Sequence, residues 1–341
     1  MHDALLIQRD SCVAHGSPLY GHLLDCLAAD YRTGGLTYDL LSSRQARSVR
    51  DAIALRLLGG VHRLVLEGLA PELAAFYPSA GGTATEGSGP ALLRTMAQHR
   101  NRLELDLENQ VQTNEVGRAA LLAAGFMEIS RRLGLAMRQR EIGASAGLLL
   151  NWDLYRYEPT GSTFGPTNSQ VRFAENWWQS PAPDFDVPVV VTDRKGSDVS
   201  PIDATTDAGR LRLLSFVWPD QLARLERLRA AIDIAADTPP VVEKSDARAW
   251  LTRELATTVP GQVTVVHHSI VLQYIPQPGL AQLIETITSA GQRATVRAPL
   301  AWLRMEPAGP VADLRLTLWP GGREEVLATS GYHGQDVKWR G

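Results

Sequence analysis

The periodicity of the hydrophobic residues differs between two parts of this chain. Up to about residue 135, apolar positions recur every three or four residues, as they do in amphipathic helices. Ser17 followed by Pro18 is typical of a helix start, with Ser17 at the N-cap and Pro18 in the first turn. A second helical stripe covers residues 52–69. The pattern therefore predicts an all-helical region over residues 1–135.

From about residue 136 onward, short apolar runs alternate with helical patterns, which predicts a mostly parallel sheet with helices on both faces. The predicted strands are residues 135–142, 187–191, 241–242, 263–267, 294–296 and 314–318. The main predicted helices are residues 221–234, 246–257 and 279–290. We predict an α/β protein in which a helical cap or substrate lid (residues 1–135) precedes a doubly wound, Rossmann-like domain (residues 136–341) with an inserted hairpin at about residues 152–186.

Composition narrows the class of protein. The 341 residues are 44% hydrophobic and 21% charged, with a formal net charge of −3 and no basic stripe. Nucleic acid is therefore not an expected partner. The start of the chain lacks the pattern of a signal peptide, and no run approaches the ~20 apolar residues that span a bilayer. We expect a cytoplasmic protein without a membrane partner; its oligomeric state stays open.

Residues 143–147, Gly-Ala-Ser-Ala-Gly, carry almost no side chain and lie between a predicted strand and the start of a helix. We call them the glycine turn. Small residues let a backbone bend sharply and let a ligand approach its amides, although many α/β proteins turn this way without a ligand.

Polar residues follow the next predicted strands, and ligands of such sheets bind beyond the carboxyl ends of the strands. Asp198 follows the second strand and Asp246 the third, where an N-cap role is also compatible. His267 and His268 end the fourth strand. Imidazole titrates near neutral pH and suits acid–base work, with His268 favoured; the alternative is a ring packed beneath the following helix.

This series resembles the class I S-adenosylmethionine-dependent methyltransferases. The residues that the resemblance assigns to the methionyl part of the cofactor are Glu141, Gly143, Ser145 and Gly147. It implies that Asp198 binds the ribose hydroxyls and that Asp246 with Ala247 meets the adenine. One departure is spacing, because Asp198 lies 51 residues beyond Gly147, whereas ~20 residues are usual. Asp153 and Asp193 are therefore rival candidates for the ribose.

A polar cluster precedes the last helix of the helical region. Asn114 and Arg118 fall one turn apart on a helix face, next to Glu115. We expect these three residues to lie beside the site, where arginine suits a substrate carboxylate or phosphate. The alternative is a helix cap with a surface ion pair.

The whole chain is also similar to a bacterial family of uncharacterised proteins, domain of unknown function 2332. The matching stretches are residues 16–20, 57–66, 111–118, 141–147, 214–221 and 298–302. This similarity implies a shared fold and no particular reaction.

The leading functional hypothesis is an S-adenosylmethionine-dependent methyltransferase for a small-molecule acceptor, with His268 deprotonating the acceptor and no metal required. A nicotinamide-dinucleotide enzyme would need a G-x-G-x-x-G turn, and Ser145 and Leu148 occupy its second and third glycine positions. A binding protein with a degenerate site is the non-enzymatic alternative.

Overall fold

The computed structural model describes residues 1–47, 52–84, 86–179 and 181–340. Within them the chain forms two compact units. The helical unit comprises Met1–Thr113 and Thr206–Arg229, and the sheet unit comprises Asn114–Thr205 and Ala230–Gly341. No helix in the described ranges combines the length and the apolar character needed to cross a membrane.

Over its described residues, the helical unit contains eight complete α-helices and the start of a ninth. They are α1 (His2–Ala14), α2 (Pro18–Arg32), α3 (Leu36–Leu41), α4 (Ile53–Leu66), α5 (Pro71–Ala74), α6 (Ser88–Gln98), α7 (Arg100–Asp106), then, beyond α8, α9 (Asp207–Ser215) and the start of α10 (Leu222–Asp237). As predicted, Ser17 caps α2 and accepts a hydrogen bond from the amide of Tyr20. Asp220 reinforces this cap by accepting from the Ser17 hydroxyl and the Leu19 amide.

In the part of the sheet unit that the structure describes, α8 (Ala119–Leu133) accompanies an eight-stranded sheet and a separate two-stranded sheet. Its elements are β1 (Ala136–Ile142), β2 (Arg156–Tyr157), β3 (Arg172–Phe173), β4 (Val191–Asp198), β5 (Val241–Lys244), α11 (Ala247–Glu254), β6 (Gln262–Ser269), α12 (Gly279–Gln292), β7 (Leu300–Ala308), β8 (Val311–Trp319), β9 (Arg323–Ser330) and β10 (Lys338–Trp339). The strand order is β10-β9-β8-β7-β6-β1-β4-β5. Strands β5, β4, β1, β6 and β7 run parallel, and β8, β9 and β10 extend the sheet in antiparallel fashion.

Helices cover both faces of this sheet. On one face, α11 and α12 pack on a cluster that includes Val266 and Trp302. On the other face α8 packs on β7 and β8, and Gly125 leaves room for the side chains of Leu303 and Leu314. Because side chains alternate along a strand, Trp302 and Leu303 serve opposite faces.

The units differ in three respects from the predicted division at residue 135. Helix α8 belongs with the sheet because its residues pack on β7 and β8. Helix α9 returns to the helical unit, where the Phe216 ring at its C-cap occupies the space beside Gly59 of α4. The predicted hairpin at residues 152–186 contains instead a two-stranded parallel pair, β2 and β3.

Two left-handed glycines of the sheet unit allow a matched test of local crowding. Gly147, at φ 72°, has Pro240 and Val242 within 2.8 Å of where a Cβ would lie, whereas Gly134, at φ 61°, has nothing within 4 Å. We expect Gly134→Ala to cost about 1–2 kcal/mol of unfolding free energy through backbone strain. Gly147→Ala should cost about 1–3 kcal/mol more through overpacking. Urea unfolding at pH 7 measures both; equal losses would mean that residues 240 and 242 yield freely.

Candidate functional site

The parallel strands end together at one edge of the sheet, which we call the carboxyl edge. The chain moves outward from β1 to β4 and β5, then returns to β6 and β7 on the other side of β1. The strand order therefore reverses between β1 and β6. In open α/β sheets such a reversal creates a crevice where ligands bind. The glycine turn leaves β1 at this point.

The glycine turn needs its small residues for conformation and for packing. Gly143, Ser145 and Gly147 all have positive φ, at 66°, 54° and 72°. A Cβ on Gly143 would lie 2.6 Å from the Val271 side chain. Beyond Gly147 the chain forms the 3-10 helix Leu148–Leu154 rather than an α-helix. The turn thus fits closely against its own protein, while Gly143 itself stays exposed.

Asp198 is the acidic residue that the structure brings to the glycine turn. One carboxylate oxygen accepts from the Ser145 amide at 2.9 Å, and the other accepts from the Ser200 amide at 2.8 Å. Asp153 and Asp193, the rival candidates for the ribose, form ion pairs with arginines. Asp153 forms a bidentate pair with Arg194, and Asp193, near the start of β4, pairs with Arg140 at 2.5 Å.

Glu141 is a buried carboxyl group at the end of β1. Its side-chain Oε2 has no hydrogen-bond partner among the described residues, and the same holds for the Ser145 hydroxyl. Burial raises the pKa of Glu141 well above its usual value; Asp198 adds to the rise and Arg118 opposes it. Buried polar atoms are normally satisfied, so these two atoms call for a ligand or water.

Asp246 and Ala247 begin helix α11 just beyond β5. The Asp246 side chain is exposed, and it accepts from the amide of Ala249 at 3.0 Å as the helix N-cap. The amide of Ser245 donates to the carbonyl of Asp198, which holds this helix start beside the end of β4. The N-cap role is therefore present, and it leaves Asp246 at the carboxyl edge.

His268 has protein partners on both ring nitrogens. The Trp302 indole N–H, which can only donate, lies 3.0 Å from Nε2, so Nε2 accepts and Nδ1 carries the proton that it donates to Glu306 at 2.6 Å. Glu306 also accepts from the amides of Val271 and Leu272. Burial alone would raise the pKa of Glu306, but these hydrogen bonds outweigh burial and hold the pKa below its usual value.

The network of His268 and Glu306 fixes the turn that follows β6. Ile270 in this turn has a φ of 57°, an unfavourable conformation for a β-branched residue. The amide of Ile270 donates to the carbonyl of Met305 on β7. In this position the turn after β6 places Val271 beside Gly143 of the glycine turn. His268 is thus linked to the glycine turn indirectly, through Glu306 and Val271.

His267 points to the opposite face of the sheet from His268. Its ring meets the edge of Phe126 of α8, with the ring centroids 5.2 Å apart, and it is fully buried. Burial, with a smaller contribution from the neighbouring His268, lowers its pKa to about 3. Neither ring nitrogen has a hydrogen-bond partner in the described part of the chain. Glu141 is its register partner on β1, so the two side chains share a face.

The predicted lid residues lie in the sheet unit and reach the carboxyl edge. Asn114 Oδ1 accepts from the amide of Leu148 at 2.9 Å, directly after the glycine turn. Glu115 accepts from the amide of Gly117 at 3.0 Å. Arg118 donates to the carbonyl of Ser269 at the end of β6. Asn114 and Arg118 therefore come together with the turn through tertiary contacts.

A C-terminal loop at residues 331–337 also reaches this edge, and sequence patterns did not predict it. Arg118 donates to the carbonyl of Tyr332 at 3.1 Å. Strand β9, which precedes the loop, runs parallel to β7 because both pair antiparallel with β8. No predicted strand covered β9, so no local signal placed this loop.

The fold and this edge define a mixed α/β protein with an N-terminal helical region and a large, mostly parallel sheet. The chain belongs to the family described as "Uncharacterized protein conserved in bacteria (DUF2332)", whose model matches residues 2–339. This match confirms the family resemblance expected from the sequence. Searches of curated proteins and of solved structures gave no match.

The His268–Glu306 network predicts a pH-dependent contribution to stability. Because the folded pKa of Glu306 is depressed, its stabilisation is present above the unfolded value of ~4.3 and is lost as pH falls through the folded pKa. We expect Glu306→Gln to lower the unfolding free energy by about 2 kcal/mol at pH 7. Urea unfolding between pH 7 and pH 3.5 should show the difference shrinking below about pH 4. The exposed Glu285→Gln is the control, and a difference independent of pH would contradict the assignment.

Proposed function

We propose that this protein is an S-adenosylmethionine-dependent methyltransferase that acts on a small-molecule acceptor. The parallel strands, β5-β4-β1-β6-β7, have the order 3-2-1-4-5 of doubly wound nucleotide-binding sheets. The observation that carries the proposal is the meeting of the glycine turn, Asp198 and Asp246 at the ends of three adjacent parallel strands.

The residues present fit this cofactor. Glu141 Oε2 and the Ser145 hydroxyl are buried acceptors beside the turn that lack a hydrogen-bond partner among the described residues. An ammonium group such as that of the methionyl part would satisfy them, and its positive charge would favour ionised Glu141. Asp198 lies at the glycine turn, where its carboxylate accepts from the amides of Ser145 and Ser200, and it is the proposed contact of the ribose hydroxyls. Asp246 with Ala247 is the proposed adenine contact.

When bound, the cofactor supplies an electrophilic methyl group on a sulfonium. The protein then has to bind the cofactor and the acceptor, align them and exclude water. These tasks need little proton transfer from the protein. His268, held by Trp302 and Glu306, keeps the turn after β6 against Gly143. In this proposal His268 is a positioning residue, and Arg118 with Asn114 closes the β6 side of the edge.

A binding protein without catalysis is the second candidate, and the histidines favour it. Both ring nitrogens of His268 are engaged, and His267 is fully buried with a pKa near 3. Neither imidazole is placed as a base for an acceptor in solution. Cofactor binding without methyl transfer to any acceptor would favour this candidate. A nicotinamide-dinucleotide enzyme has weaker support, because the turn lacks the G-x-G-x-x-G pattern.

Calorimetry with S-adenosylhomocysteine tests the cofactor site. We expect the wild-type chain to bind it and Glu141→Gln to bind it about 10- to 150-fold more weakly, because a hydrogen bond to a charged group contributes about 1.5–3 kcal/mol. Asp193→Asn, which changes a rival carboxylate paired with Arg140, should bind normally. No binding by the wild-type chain would refute the proposal. A loss of affinity confined to Asp193→Asn would mean that Asp193, and not Glu141, contacts the ligand.

Two substitutions at Asp246 separate its role as the N-cap of α11 from a role in ligand binding. Serine is a good N-cap, so Asp246→Ser should keep the stability of α11, whereas Asp246→Ala should lose about 1 kcal/mol of unfolding free energy. If Asp246 contacts the cofactor, both variants should bind S-adenosylhomocysteine about tenfold more weakly. Normal binding by Asp246→Ser would leave Asp246 as a cap alone.

A further inference from the structure

Three polar side chains lie on the α8 face of the sheet, just before the glycine turn. Gln139 and Glu141 are two residues apart on β1, so their side chains share a face. His267 on β6 is the register partner of Glu141. All three residues are buried, with at most 2% of their surface exposed. We call Gln139, Glu141 and His267 the inner polar cluster.

Neighbours without polar side-chain atoms lie beside the inner polar cluster on three elements. The Phe126 ring of α8 packs edge-on against His267, with the ring centroids 5.2 Å apart. Leu303 of β7 is the register partner of His267. On β4, the register partner of Glu141 is Gly196, which has no side chain. These three neighbours therefore cannot satisfy the polar atoms of the cluster through their side chains.

Five side-chain atoms of the inner polar cluster have no hydrogen-bond partner among the described residues. They are Oε1 and Nε2 of Gln139, Oε2 of Glu141 and both ring nitrogens of His267. Native proteins leave few buried polar atoms unsatisfied. A carboxamide and a neutral imidazole each offer donors and acceptors. Because an enclosed water makes about three hydrogen bonds to such groups, this set of atoms suits an internal water.

The charged groups around Glu141 do not offset the burial of its carboxyl group. Burial raises the pKa of Glu141 well above its usual value; Asp198 adds to the rise and Arg118 opposes it. Tyr155 is also within electrostatic range, since burial and then the Glu141 charge raise the pKa of its phenol. His267 is neutral at pH 7, because burial lowers its pKa to about 3. An ionised Glu141 therefore needs neutral hydrogen-bond donors.

We propose that His267 and Gln139 are positioning residues that hold the Glu141 carboxylate, through an enclosed water, in place for the primary ammonium group of a ligand. This role rests on the proposed function, in which the ammonium of the methionyl part lies at Glu141. On binding, the O–H bond of the Glu141 carboxyl group breaks and its proton passes to solvent. The imidazole stays neutral, and its N–H donates to the water that donates to the carboxylate.

The arrangement defines the class of ligand. A primary ammonium has three N–H donors. The acceptors for them are Glu141 Oε2 and the Ser145 hydroxyl, which are both buried and lack a hydrogen-bond partner within the described ranges. An α-amino acid, or an adenosyl derivative of one, carries such a group.

Calorimetry with S-adenosylhomocysteine at pH 7 tests whether His267 acts through Glu141. We expect His267→Leu to weaken binding about tenfold or more, because the carboxylate loses a donor. His267→Gln keeps an N–H donor and should bind within about threefold of the wild-type chain. In a Glu141→Gln chain, His267→Leu should change the affinity by less than about threefold, because the carboxylate is already absent. An equal loss in both backgrounds would indicate a structural role alone and would overturn the proposal.

Val263→Ala is the matched control for packing, since Val263 is buried on the same strand and face as His267. This variant should lose stability in urea unfolding and keep the wild-type affinity. A loss of affinity equal to that of His267→Leu would count against the positioning role. If His267→Leu does not fold, Gln139→Leu replaces it with the same expected loss. Unchanged binding by Gln139→Leu would then contradict the proposal.

A high-resolution crystal structure of the ligand-free chain tests the enclosed water independently of the cofactor. We expect an ordered water within about 3.2 Å of a His267 ring nitrogen and of Glu141 or Gln139. Its absence would overturn the proposal whether or not S-adenosylhomocysteine binds. If that compound does not bind, the proposed cofactor is wrong, and L-methionine, with the same ammonium group, becomes the probe. No binding of L-methionine up to about 20 mM, which saturates millimolar sites, would then refute the ammonium site as well.

Discussion

Asp198 holds the ends of three strands, β1, β4 and β5, in one place. Its carboxylate accepts from the amide of Ser145 in the turn after β1, and its carbonyl accepts from the amide of Ser245 after β5. A carboxylate that accepts backbone amides forms charge-assisted hydrogen bonds, which are stronger than neutral ones. The glycine turn, the end of β4 and the start of α11 depend on this residue for their relative position.

Strand β6 shows how one strand divides polar residues between two environments. His268 faces the α11 and α12 side and is satisfied by Trp302 and Glu306. His267 faces α8 beside Glu141, where the pKa values of both groups favour their neutral forms. Two neutral groups avoid the cost of a buried charge, yet they leave polar atoms unsatisfied among the described residues. Stability alone does not explain such a pair.

The two units place different chemistry on different scaffolds. The sheet unit places acidic groups and backbone amides at its carboxyl edge, whereas the helical unit places Arg56, Arg63 and Arg212 near two consecutive glycines of α4.

Local patterns in the sequence determined the cap of α2, β1, half of β5, most of β6, the glycine turn and the N-cap of α11, since hydrophobic periodicity and capping residues act over a few positions. They misplaced β4 and missed β7, β9 and β10, which are defined by pairing with other strands of the sheet. Tertiary structure alone decided that Asp198, and not Asp153 or Asp193, meets the turn, because the arginine partners of the rivals come from other segments. It also decided which unit received α8 and α9, since that depends on which apolar faces find each other.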